Sequence, residues 1–271
     1  KNKKFFPIIT CTLEDRVLKL AFFQYPNQIN PMLIFNSIYD ANTNDLRLCL
    51  DNLKSELSKC LDSKSIQWPI FLVKDQNSDI QISHINRDFY FVNIIKRTLL
   101  SEVKYVDNFE LLRLCAIEYC LSVYSSKQVL VLVNFRTCFT YIDVIHHKTR
   151  QLIVGFKFNN LNRRYCEHNL EVTNTNCFDC TKLANEFLPS FLKCSQSSTF
   201  IGGLCLSNFI NALLLKISKK LCLDKNDIEI ILVEGYLSIL DKSLLSEYTV
   251  RLEPNAVLSG IKIMALGGVI N

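Results

Sequence analysis

The pattern of hydrophobic and polar residues predicts an antiparallel meander in the middle of the chain. Residues 129–133 form a continuous run of valine and leucine, which is typical of a strand buried on both faces. Residues 138–145 alternate between apolar and polar side chains, and residues 151–158 are largely apolar after a polar turn at 147–149. The sequence therefore predicts three strands joined by short connections.

The N-terminal third of the chain repeats this layout. Short apolar stretches predict strands, and a polar turn at Glu14, Asp15 and Arg16 separates the first two. Leucines then recur close to helical spacing, and Asn44 is a suitable residue to cap the start of that helix. The predicted elements are strands at 7–12, 17–24, 32–38 and 70–73 and a helix at 44–61.

Further elements flank the central meander. A strand leads into a helical run within residues 88–100, and residues 109–124 place their apolar side chains on one helical face. The remaining predicted elements are helices at 181–188, 200–221 and 255–266 and a buried strand at 228–233.

Two successive halves of the chain thus share one order of strands and helices. This order predicts an α/β protein with two mixed sheets flanked by helices, produced by internal duplication. We divide the chain into an N-terminal subdomain, residues 1–105, and a C-terminal subdomain, residues 106–271. A ligand is expected between the halves, near the carboxyl ends of the central strands.

Composition narrows the class of protein. The chain has 271 residues, of which 49% are hydrophobic and 21% charged, with a net charge of +5. These values are ordinary for a globular protein, and the basic residues form no cluster large enough for a nucleic-acid surface. No apolar run has the length of a membrane span. The apolar segment 5–13 lacks a small-residue cleavage site, so we interpret it as a strand instead of a signal peptide.

The chain contains 12 cysteines without the regular spacing of a disulfide framework. Their pattern indicates reduced thiols and a cytoplasmic location. One group has the residue types of a zinc site, although it contains a single C-x-x-C pair. Plain thiols are the favoured alternative for this group, whose members are Cys166, His168, Cys177 and Cys180.

With these elements placed, the chain resembles the type III pantothenate kinases, including their Bvg-accessory-factor-like relatives in the actin-like (ribonuclease-H-like) kinase superfamily. The segment FELLRLCAIEYC resembles a family helix that begins G-A-D-R, with Arg113 at the arginine. The segment VNFRTCFTYID resembles the family's phosphate turn, D/S-F-G-T-A-T-T, followed by an acid at Asp143. Other residues at family positions are Leu188, Pro189, Thr199, Gly235, Leu258 and Gly260.

The resemblance implies a duplicated actin-like ATPase fold and phosphorylation of pantothenate by ATP, the first step of coenzyme A synthesis. It implies Mg²⁺ and a monovalent cation, K⁺ or NH₄⁺, as cofactors. It also implies a homodimer formed through helices of the C-terminal half, without nucleic-acid or membrane partners. By position it assigns substrate binding to Arg113 and Thr199, and nucleotide or phosphate binding to Thr10, Thr12, Arg136, Thr137, Thr140 and Gly235.

The chain departs from the family at the groups that perform the chemistry. The family's first phosphate turn, D-x-G-N-T/S, corresponds to residues 10–14 here, which contain neither its aspartate nor its glycine. Leu112 replaces the catalytic aspartate, Arg136 the glycine of the second turn, and Phe139 a threonine. A phosphate turn presents consecutive backbone N–H groups, which requires glycine. Catalysis is therefore expected to be weak or absent.

Three interpretations remain open. The chain is an active pantothenate kinase with altered motifs, a non-catalytic binding or regulatory protein, or a structural subunit that pairs with an intact kinase. In the first case Glu14 or Asp15 would serve the metal from a shifted turn, and Arg136 would contact phosphate through its guanidinium. The alternatives for these residues are a solvated hairpin turn and an ordinary ion pair.

Overall fold

The chain folds into two mixed sheets with helices packed on them. The computed structural model describes residues 7–14, 17–25, 27–38, 44–60, 67–74, 88–94, 111–124, 126–136, 139–159, 170–172, 199–233, 243 and 245–270. Several sequence-derived expectations concern residues outside this set. They are the helix at 181–188, the helical run after residue 94, the domain border between residues 105 and 106, and the zinc candidates Cys166, His168, Cys177 and Cys180.

The first sheet has five strands in the order β3-β2-β1-β4-β5. β1 is antiparallel to β2 and parallel to β4, so it is the central strand. β2 pairs antiparallel with β3, and β4 pairs parallel with β5. The strands are β1 (Ile8–Glu14), β2 (Val17–Phe23), β3 (Leu33–Ile38), β4 (Trp68–Lys74) and β5 (Phe89–Asn93).

The second sheet has six strands in the order β11-β10-β6-β7-β8-β9. The central strand β6 is antiparallel to β7 and parallel to β10. β8 continues the meander, and β11 extends the parallel side. The strands are β6 (Val129–Phe135), β7 (Phe139–His146), β8 (Gln151–Asn159), β9 (Leu170–Val172), β10 (Ile228–Val233) and β11 (Thr249–Glu253).

The two sheets are built on one plan. Strands β6, β7, β8, β10 and β11 repeat the order and the directions of β1 to β5, and β9 is an addition at the edge. The predicted α/β class with two duplicated mixed sheets is therefore confirmed. β9 and β11 were not predicted from the sequence. β9 has only three residues, and β11 has three exposed and two half-buried residues, so neither has a continuous apolar run.

Four helices of two turns or more complete the described part of the chain: α1 (Asn44–Cys60), α2 (Leu111–Val123), α3 (Thr199–Leu221) and α4 (Ala256–Ile270). The predicted helices at 44–61, 109–124, 200–221 and 255–266 coincide with them to within a few residues. No helix among the described residues is both long enough and apolar enough to cross a membrane.

The chain divides into two compact units. Unit 1 comprises Lys1–Thr98, Phe109–Tyr119 and Asn255–Asn271, and unit 2 comprises Leu99–Asn108 and Cys120–Pro254. α2 therefore contributes residues to both units, and the closing helix α4 belongs to unit 1, where it packs on β1 and β4.

Each unit has its own hydrophobic core. In unit 1, alternate residues of β1 pack with leucines of α1, including Leu50 and Leu53. In unit 2, Val129, Val131 and Val133 of β6 pack with apolar residues of α3. Because side chains alternate along a strand, the other residues of β1 and β6 face the opposite side of each sheet.

Within unit 1, α4 lies very close to α2. Gly260 faces the backbone carbonyl of Cys115, and a Cβ atom at Gly260 would overlap that carbonyl group. The Cys115 thiol also lies 3.4 Å from the sulfur of Met264. Gly260 is thus required for the close approach of two helix backbones.

We predict that Gly260→Ala destabilises the protein, because either helix must move to accommodate the added methyl group. The expected loss is about 1–3 kcal/mol in the free energy of unfolding, as for other overpacked sites. Gly267→Ala is the matched control on the same helix, since nothing lies within 4 Å of its added Cβ. It should gain about 0.5–1 kcal/mol from helix propensity. Urea unfolding followed by circular dichroism measures both, and equal stabilities of the two variants would contradict the packing argument.

Candidate functional site

The carboxyl ends of three parallel strands in unit 2 stop at the same level. Asn134 of β6 is in register with Val233 of β10, which is in register with Glu253 of β11. On its other side Asn134 is in register with Tyr141 of β7. Residues in register on neighbouring strands point to the same face of a sheet. We call these four residues, Tyr141, Asn134, Val233 and Glu253, the carboxyl-end row.

This row lies on the face of the sheet opposite to α3. The residues of β6 that pack with α3 are Val129, Val131 and Val133, so Asn134 points to the other side. The same alternation places Asp143 of β7 and Glu229 of β10 on that face. Both carboxyl-bearing residues are fully buried or nearly so. One face of the sheet is therefore apolar, and the other carries several buried polar groups.

Asn134 has the most unusual environment in the row. Its side chain is 1% exposed, and neither its Oδ1 nor its Nδ2 atom has a hydrogen-bond partner among the described residues. Leaving a buried donor or acceptor unsatisfied costs about 1–3 kcal/mol. Buried amides in native proteins almost always have partners. A ligand with both donor and acceptor atoms, or an ordered water, would satisfy this amide.

The turn that follows Asn134 carries a buried positive charge. Phe135 and Thr140 are the last paired residues of β6 and β7, which leaves residues 136–139 between them. Arg136 is 8% exposed and Thr140 is 7% exposed. A guanidinium in such a low-dielectric position attracts an anion more strongly than one in water. Thr137, which the resemblance assigns to phosphate binding, lies outside the described residues.

Glu253 at the end of β11 is fixed by aromatic and charged neighbours. The hydroxyl of Tyr124 donates a hydrogen bond to Oε1 of Glu253. The guanidinium of Arg251 lies 5.7 Å from the centre of the Tyr124 ring, a distance typical of a cation–π contact. Arg251 in turn donates a hydrogen bond to the buried carboxylate of Glu229. This network attaches the residues after α2 to the parallel edge of the sheet.

The buried thiol of Cys120 does not add a nucleophile to this region. Burial and, secondarily, the negative charge of Glu253 raise the pKa of Cys120 well above its ordinary value. The thiolate is the reactive form of cysteine. Cys120 therefore stays protonated at neutral pH and behaves as a small core residue.

Residues 10–14, which the resemblance aligns with the family's first phosphate turn, belong to a strand. All five lie within β1, which pairs with β2 on one side and, up to Leu13, with β4 on the other. The strand predicted over residues 7–12 is therefore confirmed and continues to Glu14. The connection between the strands follows the Glu14–Val17 pair, and its two residues, Asp15 and Arg16, lie outside the described residues.

Thr10 and Thr12 are core residues of unit 1 in this structure. They are 0% and 3% exposed and point away from the α1 side, where Cys11 and Leu13 pack. Thr10 is in register with Ala21, which packs with Leu258 of α4. The hydroxyl of Thr10 has no hydrogen-bond partner in the described part of the chain. Their assignment to phosphate binding stays a prediction.

The remaining candidates are distributed between two helices and an undescribed segment. Leu112 and Arg113 lie in the first turn of α2, and each is 3% exposed. Thr199 is the first residue of α3, and Gly235 lies outside the described residues. Substrate binding by Arg113 and Thr199 and nucleotide binding by Gly235 stay predictions.

The described residues do not fit a metal site of their own. No group of three histidine, cysteine, aspartate or glutamate side chains in the described ranges lies close enough to hold a metal ion. Magnesium usually needs at least one carboxylate in addition to the phosphates of its nucleotide.

Asn134 begins the segment that the sequence assigned to the phosphate turn but was not among the candidate binding residues, and Glu253 was not predicted at all. The signal for Asn134 was available, since a polar residue directly after a buried strand run often marks the ligand end of a parallel sheet. Glu253 could not be found in this way, because the strand that carries it has no distinct pattern and is far from β6 in sequence.

Comparisons with known proteins bear on the fold. No protein-family model and no curated protein sequence matches the chain. It is similar to the activator of the 2-hydroxyisocaproyl-CoA dehydratase from Clostridium difficile with bound ADPNP, at 7% identity, 98% coverage of each chain and a TM-score of 0.43. It is also similar to an inorganic polyphosphate/ATP-glucomannokinase from Arthrobacter sp. strain KM, at 11% identity, covering 96% of this chain and 99% of that chain with a TM-score of 0.45.

A third similar structure is a Bacteroides thetaiotaomicron protein of unknown function with an actin-like ATPase fold. Its identity is 12%, its TM-score is 0.37, and the match covers 98% of this chain and 99% of that chain. Likenesses at these TM-scores carry no argument about activity. The chain's own strand pairing shows two mixed sheets, with one order of five strands present in both.

Proposed function

We propose that this protein is a kinase-fold protein that binds a nucleotide through its phosphates at the β6–β7 turn of unit 2 and transfers phosphate weakly or not at all. The observation that carries the proposal is the buried, unsatisfied amide of Asn134 next to the buried Arg136. ATP is the proposed ligand, because the sequence of this turn resembles the phosphate turn of ATP-dependent kinases.

The chemistry of the turn supports an anionic ligand. The Nδ2 group of Asn134 can donate to a phosphate oxygen, and Arg136 can pair with two oxygens through its planar fork. Thr140 adds a hydroxyl at the start of β7. In a glycine-rich phosphate turn the positive potential comes from backbone N–H groups. Here the guanidinium of the Arg136 side chain would supply it. The substitution of glycine by Arg136 therefore changes the mode of phosphate binding without removing the charge.

Two features argue against efficient phosphoryl transfer. Leu112 stands where the resemblance places the catalytic aspartate, and it is a buried apolar side chain. In unit 1 the first hairpin leaves only residues 15 and 16 between paired positions, whereas the β6–β7 turn of unit 2 leaves residues 136–139. Phosphoryl transfer requires several groups that together position the reactants and neutralise charge. A single phosphate-binding turn provides only some of these groups.

Retained pantothenate kinase activity is the second candidate function. Arg113 favours it, because a guanidinium that is 3% exposed on α2 is suited to a carboxylate such as that of pantothenate. When bound with ATP, Mg²⁺ and a monovalent cation neutralise phosphate charge in enzymes of this kind. A homodimer and a cytoplasmic location belong to the same proposal and rest on the resemblance and on the abundance of cysteine.

We predict that Asn134→Leu has two opposite effects. Without ligand the variant should unfold at a higher temperature, because it no longer carries the cost of about 1–3 kcal/mol of a buried amide without hydrogen-bond partners. With saturating ATP and Mg²⁺ the native protein should gain stability by mass action, about 2.7 kcal/mol at a hundredfold excess over Kd. Asn134→Leu should lose that gain. Differential scanning fluorimetry with and without ATP measures both effects.

Asn208→Leu is the matched control, since Asn208 is exposed on α3. It should leave both the ligand-free melting temperature and the ATP response as in the native protein. Arg136→Ala should also abolish the ATP response. An ATP-induced shift that survives in both Asn134→Leu and Arg136→Ala would contradict the proposed binding site.

We predict that turnover with ATP, Mg²⁺, K⁺ and pantothenate is indistinguishable from an enzyme-free blank in a coupled ADP-release assay. The physical reason is the loss of the carboxylate at Leu112 together with the shortened first turn. Leu112→Asp tests this reason directly, because it restores the missing carboxylate in a chain that keeps the rest of α2. Measurable product from the native protein would establish the second candidate function instead.

A further inference from the structure

Exposed apolar side chains are concentrated on one surface of unit 1. Nine large apolar residues are exposed in the described part of the chain, and five of them lie on β2, on β3 or on the connection between them. We call these five the β2–β3 apolar surface: Val17, Tyr25, Ile29, Met32 and Ile34, with exposures of 38%, 61%, 53%, 51% and 42%. Single exposed apolar residues are normal, whereas several that belong to neighbouring strands and their connection indicate an interaction surface.

The strand register explains why this face is uncovered. Ile34 is in register with Ala21 of β2, and Ala21 packs with Leu258 of α4. α4 lies on β1 and β4, so it leaves the outer strand β3 uncovered on this side. The opposite face of β3 is different, since Leu33 and Phe35 pack against the core on the α1 side.

The connection between β2 and β3 is held in place by α4. The hydroxyl of Ser259 donates to the carbonyl of Ile29 at 3.0 Å, and Nζ of Lys262 donates to the carbonyl of Gln28. The side chain of Gln28 accepts a hydrogen bond from the backbone N–H of Gln24 at 2.9 Å. These hydrogen bonds hold the backbone of the connection against α4, while the side chains of Tyr25 and Ile29 remain exposed. A surface that is ordered before binding loses less entropy on association.

β3 also lacks the features that prevent edge strands from pairing with other chains. Among the strands that the structure describes it is the terminal one of its sheet, and its register with β2 runs without a bulge. Residues 32–38 read Met-Leu-Ile-Phe-Asn-Ser-Ile, without a charged residue or a proline. Charged side chains, prolines and bulges are the usual protections of an edge strand.

We propose that the β2–β3 apolar surface is the contact with a second copy of this chain, in which β3 pairs antiparallel with β3 across a two-fold axis that passes close to Ile34. An isologous interface places each residue near itself or its symmetry mate, so it must be free of like charges. β3 meets this condition because it is uncharged. Lys19 is the charged residue of β2 on this face, and β2 lies one strand further from the axis than β3. The Lys19 residues of the two chains are therefore separated by three strand spacings of about 4.8 Å each. That distance exceeds the screening length of about 8 Å at physiological salt.

The charge pattern disfavours the alternative dimer through α3. Leu215 is 54% exposed on that helix, but Lys216, Lys219 and Lys220 are exposed around it. Two copies of α3 related by a two-fold axis would oppose these lysines. Both surfaces have exposed apolar residues, but only the α3 surface carries several lysines. One substitution on each surface therefore distinguishes the two possible dimers.

Sedimentation equilibrium of the ligand-free protein tests the proposal, and its result does not depend on the proposed nucleotide binding. The native protein should show a reversible monomer–dimer equilibrium. Ile34→Lys should raise the dimer Kd at least about tenfold, because each copy brings a new charge to the axis. Leu215→Lys changes another exposed apolar residue in the same way, with an exposure of 54% against 42% for Ile34, and should leave Kd as in the native protein.

Met32→Lys provides a second substitution on the same strand face if Ile34→Lys fails to fold, as judged by its thermal unfolding. Ile34→Cys should form an intermolecular disulfide under mild oxidation, because directly opposed residues of antiparallel strands lie about 4.5–5.5 Å apart at Cβ. Peptide mapping identifies that cross-link among the native cysteines. A native protein that stays monomeric at every accessible concentration, or a dimer dissociated by Leu215→Lys and not by substitutions on β3, overturns the proposal.

Discussion

The pairing of one central strand in each sheet is the constraint on which the rest of the structure depends. β1 and β6 each join an antiparallel hairpin on one side to a parallel strand on the other. Both strands are buried on both faces, so a shift by one residue would exchange their two sets of side chains. The register of β6 therefore decides that Asn134, Val233 and Glu253 end at one level. The candidate site is a consequence of this pairing.

The face of the second sheet opposite to α3 contains two buried polar side chains with different hydrogen bonding, Glu229 and Asn134. Glu229 is 1% exposed and accepts a hydrogen bond from Arg251, which compensates for its desolvation. Asn134 is equally buried without such compensation from the described residues. The two residues lie on the same face of neighbouring strands, at opposite ends of the parallel segment. One end of that face is thus satisfied internally, while the other presents an amide that a ligand can satisfy.

The sequence predicted the strands and helices well where apolar periodicity decided them, because β6, α1 and α4 are built from uninterrupted patterns. It missed β11, which has three exposed and two half-buried residues and is identified by its pairing with β10. Its apolar pattern correctly placed Thr10 and Thr12 in a strand, where they pair on both sides, although the resemblance aligns them with a phosphate turn. The site could be predicted only in part, since Glu253 is placed level with Asn134 by the pairing of β11 with β10 and of β10 with β6, and β6 is distant in sequence from the other two strands.

Packing requires glycine at position 260 of this chain but not at position 136. Gly260 is irreplaceable for packing, because any side chain there meets the carbonyl of Cys115. The glycine that the resemblance expects at the second phosphate turn is instead Arg136, at a position where the fold itself makes no such demand. A turn at the end of a strand contributes little to the core, so its residues can change while both sheets persist. The two sheets therefore place no requirement for glycine at position 136, and a buried guanidinium is accommodated there.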